Sequence, residues 1–133
     1  MKIKHHDLLD DLDDAWWAEA GMLDFKPSTS AYHTDPHKFQ SAFEVRIENI
    51  APVGMARRKI GIFRDSIDEG RTARERVLYI LRAFHSGAAL EPVEVVRGQP
   101  GCLHQYELYN GTHRLYCSLA AGFVKVPAIE KVY

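Results

Sequence analysis

The chain is poor in sulfur and has no long apolar run. Its 133 residues include two cysteines, Cys102 and Cys117. Two thiols cannot make a disulfide-stapled framework, and without C-x-x-C spacing they carry no zinc or redox motif. Their scarcity fits a reducing cytoplasm, which is the expected location. No apolar stretch approaches the roughly 18 residues of a membrane span, so no membrane partner is expected. The opening MKIKHHDLLDDLDD is broken by acids where a secretory signal needs its apolar core. No Ser-His-Asp arrangement, G-x-S-x-G pattern, internal repeat or low-complexity tract is present. Charge of one sign is also lacking. Seventeen Lys and Arg meet eighteen Asp and Glu, a net −1, so bulk basicity does not announce a nucleic-acid binder.

What is there is ordinary globular composition, 46% apolar and 26% charged, at a length suited to one domain. The near-neutral charge is a cancellation. Residues 1–40 hold four Lys and eight Asp or Glu, a net −4. Residues 41–133 hold thirteen Lys or Arg and ten acids, a net +3. The basic centre runs from Arg57 to Arg82, with eight Lys or Arg against four acids.

The apolar periodicity predicts a helix from Asp7 to Met22. Leu8, Leu12, Ala15, Trp16 and Leu23 recur at helical spacing. Asp10, Asp11, Asp13 and Asp14 would lie early in it, near the positive end of its dipole. Trp16 and Trp17 cannot share one helix face. Either one sits in the core and the other meets a neighbouring element or a partner chain, or both are partly buried. A homodimer or protein partner docking through this helix is the partner expectation. Residues 24–40, with Pro27, Pro36 and several Ser and Thr, read as an irregular connection of a length that is often functional.

From Phe43 to Glu48 apolar and polar residues alternate as in a half-buried strand. Ile60 to Phe63 is a short apolar piece, strand or turn. Arg71 to Ser86 reads as a helix with Val77, Leu78, Leu81 and Phe84 as its apolar stripe, and Gly87 as its C-terminal stop. Pro92–Val96 and Gln105–Tyr109 read as strands around a turn at residues 97–101. Thr112 is placed to cap a helix from His113 to Ala121, closed by Gly122. Val124–Ile129 is the last strand. The fold class is α+β, a small mixed β-sheet with packed helices and an N-terminal helical extension.

The chemistry concentrates at Asn110-Gly111-Thr112-His113-Arg114, between a strand and a helix. A helix start offers N–H groups without intrahelical partners, and its dipole favours negative charge. Gly111 lets backbone approach a phosphate closely. Thr112 adds a hydroxyl, His113 a ring donor and Arg114 a bidentate cation. The bland alternative is a turn followed by a surface helix with an accidental His-Arg pair.

At these residues the chain resembles the ParB/sulfiredoxin-like superfamily. The matching passage is PVEVV, a hairpin turn, YELYNGTHRLYCSLAAGF and VPAI. Members carry a strand ending in x-G-x-H-R, then a small-residue helix with a closing Gly, then a Val-Pro strand. Upstream, Phe43 to Ile50 looks like the first strand of the family. Arg57-Arg58 falls where partition-protein members carry an Asn-Pro-Arg loop. The passage from the helix through Gly87 to Pro92-Val93 also looks like theirs. The resemblance covers about ninety residues. It implies residues 43–133 as a nucleotide-binding core and residues 1–42 as an N-terminal helix and loop extension, in one compact domain. It also implies a nucleoside di- or triphosphate (ATP, ADP or CTP), with Mg²⁺, held at Gly111, Thr112, His113 and Arg114. Asn110 belongs to the same turn, Arg57 or Arg58 would close over the site, and His113 is the candidate catalytic residue. Sulfiredoxin members take base or sugar contacts from the helix before the Pro-Val strand, which points to Arg71, Arg74 or Glu75.

The departures restrict the chemistry. Sulfiredoxins have their reactive Cys at the position of Thr112, so sulfinic-acid reduction is not expected, and Cys117 is expected to be a buried small residue. Partition proteins continue into a helix-turn-helix, whereas this chain stops at Tyr133, directly after the last expected strand. Serine-kinase members place a Glu base in the loop after the first strand. Residues 51–58 contain no acid, although Asp65, Asp68 or Glu69 could enter from the next segment. His33, Asp35 and His37 read as a polar loop, because Pro36 breaks helical ligand spacing, so no metal site is expected. Three readings stay open. The first is a nucleotide-binding protein, with phosphotransferase or hydrolase activity as its enzymatic form. The second is a nucleic-acid-binding or nuclease module, disfavoured by the acidic N-terminal part. The third is a non-catalytic interaction protein.

Overall fold

The computed structural model describes residues 1–53, 62–63, 67–68 and 71–132. Among them the chain folds as an α+β protein around a mixed four-stranded sheet. Its strands are β3 (Phe43–Arg46), β6 (Val93–Arg97), β7 (Tyr106–Asn110) and β8 (Lys125–Glu130). The spatial order is β3-β8-β6-β7. β8 pairs antiparallel with β3 and parallel with β6, and β6 pairs antiparallel with β7. The inward residues Val45, Val93, Val95, Val126 and Ala128 are all buried, as period-two alternation requires.

The first strand is shorter than its alternation predicts. It ends at Arg46, and Ile47–Asn49 form a single 3₁₀ turn. The turn redirects the chain. Ile47 N–H donates to Val124 O at 3.0 Å, and Ala51 N–H donates to Tyr106 O at 2.9 Å. The segment leaving β3 thus reaches the outer edge of β7, where Ile50 makes a parallel bridge to Tyr106. The Phe43 and Tyr106 rings come within 6.1 Å although they belong to the two outermost strands, so the sheet is strongly curled.

The N-terminal segment departs most from expectation. The helix expected over Asp7–Met22 shrinks to α1 (Asp14–Glu19), and a hairpin of β1 (Lys2–His5) and β2 (Leu8–Asp11) precedes it. In β1 the inward positions are Ile3 and His5, both buried, while Lys2 and Lys4 face out. The two-residue turn His6-Asp7 places His6 at φ 55°, a left-handed value that histidine tolerates better than most residues. Asp11 is a strand residue bound to Lys2 Nζ at 3.0 Å and to the N-terminal amino group at 3.1 Å. Asp13 is the helix cap, accepting from Ala15 N–H at 2.8 Å. Trp16 and Trp17 are both half-buried against the core. Ile3, Leu12, Met22 and Tyr32 belong to the same buried cluster as Leu81, Leu115 and Val126.

Histidines dock this hairpin. His5 lies between α3 (Thr112–Ala121) and the 47–50 turn, with Nδ1 3.3 Å from Tyr116 Oη and Nε2 3.4 Å from Ile47 O. A carbonyl only accepts, so Nε2 carries the proton and Nδ1 accepts from the tyrosine. Tyr116 Oη accepts in turn from Val53 N–H at 3.2 Å. His6 donates to Ile50 O at 3.0 Å, and its ring sits 4.4 Å from His5 and 4.3 Å from His104. Burial pushes His5 from its ordinary 6.5 down to about 4, and the adjacent His6 adds to this.

The two longer helices follow their sequence signals. A two-residue ladder of β4 (Ile67–Asp68) and β5 (Arg71–Thr72) leads into α2 (Ala73–Ser86). Thr72 and Glu75 form a capping box, with Glu75 N–H donating to Thr72 Oγ1 at 3.1 Å. Val77, Leu78, Leu81 and Phe84 are buried, and Gly87 stops the helix at φ 78°. α3 buries Leu115, Tyr116, Cys117 and Ser118. Burial raises the Cys117 thiol well above its ordinary range, and Ser118 is satisfied by Arg114 O at 2.7 Å. Among the described residues no helix is long and apolar enough to cross a membrane.

Candidate functional site

The junction of β7 and α3 is built around Gly111. Its φ is 106°, and a Cβ there would meet Val93 Cγ1 at 2.8 Å and Arg114 Nη2 at 3.2 Å. Only glycine combines that backbone turn with that proximity to β6. Gly111 therefore caps α3 by conformation alone, and Thr112, expected to be the cap, is the first helical residue and makes no capping bond. The first rung of the helix is Leu115 N–H to Gly111 O at 2.9 Å. The amides of residues 112–114 lie ahead of that ladder, at the positive end of a ten-residue helix.

This helix start opens on a cleft of about 670 Å³. Asn110, Gly111, Thr112, His113 and Arg114 all line it. Lys38, Arg71 and Arg76 line it as well, so among the described residues four permanent cations, with Arg114, face two carboxylates, Asp35 and Glu91. Such an excess around an amide-rich helix start favours an anion.

The side chains of His113 and Arg114 are also committed to the fold. Arg114 Nη1 donates to Glu91 O and Pro92 O, each at 2.9 Å. The guanidinium is thereby fixed beside Gly111. His113 Nε2 is 2.9 Å from Ile62 O, so it donates there, and its ring lies 6.4 Å from Phe63. The Glu91 carbonyl takes a second donor, Tyr32 Oη at 2.6 Å, and burial raises the Tyr32 phenol above its ordinary range.

Of the three residues to which the resemblance points, only Arg71, in β5 just ahead of α2, lines the cleft. Arg74 pairs with Glu19 of α1, and Glu75 is used in the capping box. Arg57 and Arg58 lie outside the described residues, as do Lys59, Arg64, Asp65 and Glu69. The wall made by Asp35, Lys38 and Phe39, and the contributions of Arg76 and Tyr79, were missed by local pattern. The length of the 24–40 connection was the one signal that it could be functional. Asp35 Oδ1 accepts from His37 N–H at 2.9 Å. No group of three or more His, Cys, Asp or Glu among the described residues could hold a metal ion. No family model matches the chain, and no curated protein matches it.

Proposed function

We propose that the protein binds the phosphates of a nucleoside di- or triphosphate at the start of α3, in the manner of the ParB/sulfiredoxin-like superfamily that its sequence resembles. One observation carries this reading. Asn110 to Arg114 converge on a single cleft in which, among the described residues, permanent cations outnumber carboxylates by four to two. The amides of Thr112 and its neighbours would receive phosphate oxygens, the Thr112 hydroxyl would add a donor, and Arg114 would supply fixed charge. Mg²⁺ would enter with the phosphates, because no described side-chain cluster holds a metal by itself. In a phosphotransferase or hydrolase form of this reading, His113 would steady charge on the transferring group. Arg57 and Arg58 are further cations for the same phosphates on the sequence resemblance.

Calorimetric titration of ATP, ADP and CTP, with and without Mg²⁺, tests the reading. At least one nucleotide binds the native chain, and Thr112→Ala, which removes only a hydroxyl, weakens it severalfold. Absence of heat and of any thermal stabilisation with every nucleotide would remove the proposal, since a ligand bound only by the native state raises its apparent stability.

A further inference from the structure

The cleft has a feature that phosphate binding does not use. Two aromatic rings line it beside cations, one from the 24–42 segment and one from α2. Lys38 Nζ lies 5.5 Å from the Phe39 ring centre, and the Arg71 guanidinium lies 5.8 Å from that of Tyr79. All four residues line the cleft. Tyr79 is 58% exposed, although the neighbouring Leu78 and Ile80 are buried. A large ring left in solvent at the rim of a polar cleft is a ready stacking surface.

The wall that carries Phe39 is preset. Leu90 N–H donates to His33 O at 2.9 Å, and Tyr32 Oη donates to Glu91 O at 2.6 Å. These two bonds, one through the His33 backbone and one through the Tyr32 side chain, fasten residues 32–33 to the stretch that leads into β6. Phe39 N–H then donates to Asp35 O at 2.9 Å, and Ala42 N–H to Phe39 O at 3.1 Å, which shapes residues 35–42 into successive turns. Phe39 therefore reaches the cleft on a fastened turn, and little ordering remains to be done when a ligand arrives.

We infer that Phe39 and Tyr79 are specificity-determining residues that stack on the planar base of the ligand, so that residues 35–39 distinguish a nucleotide from a bare polyphosphate at this site. The inference rests on the phosphate-binding reading. It assigns part of the ligand pocket to a segment outside the 43–133 passage that carries the family resemblance. Lys38 and Arg71 fit the same role, because a cation held beside an aromatic ring strengthens stacking on an electron-rich heterocycle.

The test compares ATP, ADP and CTP with inorganic triphosphate, by calorimetry on the full chain and on Phe39→Ala, Phe39→Leu and Tyr79→Ala. The native chain prefers its best nucleotide over inorganic triphosphate by about tenfold or more, the scale of one aromatic–base stack. Each alanine variant loses most of that preference and keeps its triphosphate affinity within about twofold. Phe39→Leu keeps apolar bulk but not the ring, and it loses the preference too. A native chain that binds triphosphate as tightly as any nucleotide overturns the inference and leaves the phosphate site standing. So does a preference that survives all three substitutions. A native chain that binds neither nucleotide nor triphosphate overturns the phosphate reading and this inference together.

Discussion

Acid should weaken this fold through one identifiable group, His5. Its side chain is 3% exposed, and burial followed by the proximity of His6 lowers it from 6.5 to about 4. The groups facing it are His6, His104 by way of His6, and the Tyr116 hydroxyl. In the unfolded chain His5 takes a proton near pH 6.5, whereas in the fold it resists until about pH 4. Between those values the unfolded state binds more protons, so stability rises with pH there and is lost on acidification. At about 1.4 kcal/mol per pH unit the whole gap amounts to roughly 3 kcal/mol. Between pH 7 and pH 5 the linkage relation gives a loss of about 2 kcal/mol from this residue alone. Urea unfolding of the native chain and of His5→Gln, at half-unit steps from pH 7.5 to 4.5, isolates the effect. Contributions from groups far from residue 5 are common to both proteins and cancel in the difference. The difference between the two proteins should change by about 2 kcal/mol across pH 7 to 5. Parallel pH curves for the two would refute the argument, because they would mean that His5 protonates equally easily in both states.

Two further outcomes follow from local geometry. Gly111→Ala must place a Cβ 2.8 Å from the fully buried Val93 at φ 106°; backbone strain and overpacking together should cost about 3 kcal/mol in urea unfolding, and an unchanged midpoint would contradict the junction geometry. Thr72→Ala removes the acceptor of Glu75 N–H at the start of α2, and should cost about 1 kcal/mol, checked by the same measurement.

The parts of the fold that were legible are those whose pattern is complete within one segment. Val93, Val95 and Val96, or Val124, Val126 and Ile129, form β-branched runs close to turn residues, and α2 carries both its apolar stripe and its stop at Gly87. The hairpin was illegible for a chemical reason. Its buried positions are one isoleucine and one histidine, both in β1, and a buried histidine does not register as apolar. The acids at 10–14 then suggested a helix start too early, although Asp13 within that run does cap α1. At the site, Asn110 to Arg114 could be found because five donors lie in consecutive positions. Lys38, Phe39, Arg76 and Tyr79 could not, because only the docking of residues 32–33 onto residues 90–91 and the packing of α2 bring them to the same cleft. The substitution of Gly111 for Thr112 as cap reflects a conformational cap overriding a side-chain one.

The carbonyl oxygen of Glu91 accepts at once from Tyr32 and from Arg114. One atom thus joins the N-terminal segment, the approach to β6 and the helix that begins the cleft. Two donors share one acceptor atom, so each draws on the electron density that the other uses. The energetic effects of altering Tyr32 and Arg114 should then be non-additive, and the coupling between them would measure how strongly the first forty residues are felt at the cleft. Removing those residues would do more than shorten the protein. It would release the Glu91 carbonyl from its Tyr32 tether, so the cation most closely tied to Gly111 would sit on a less constrained acceptor.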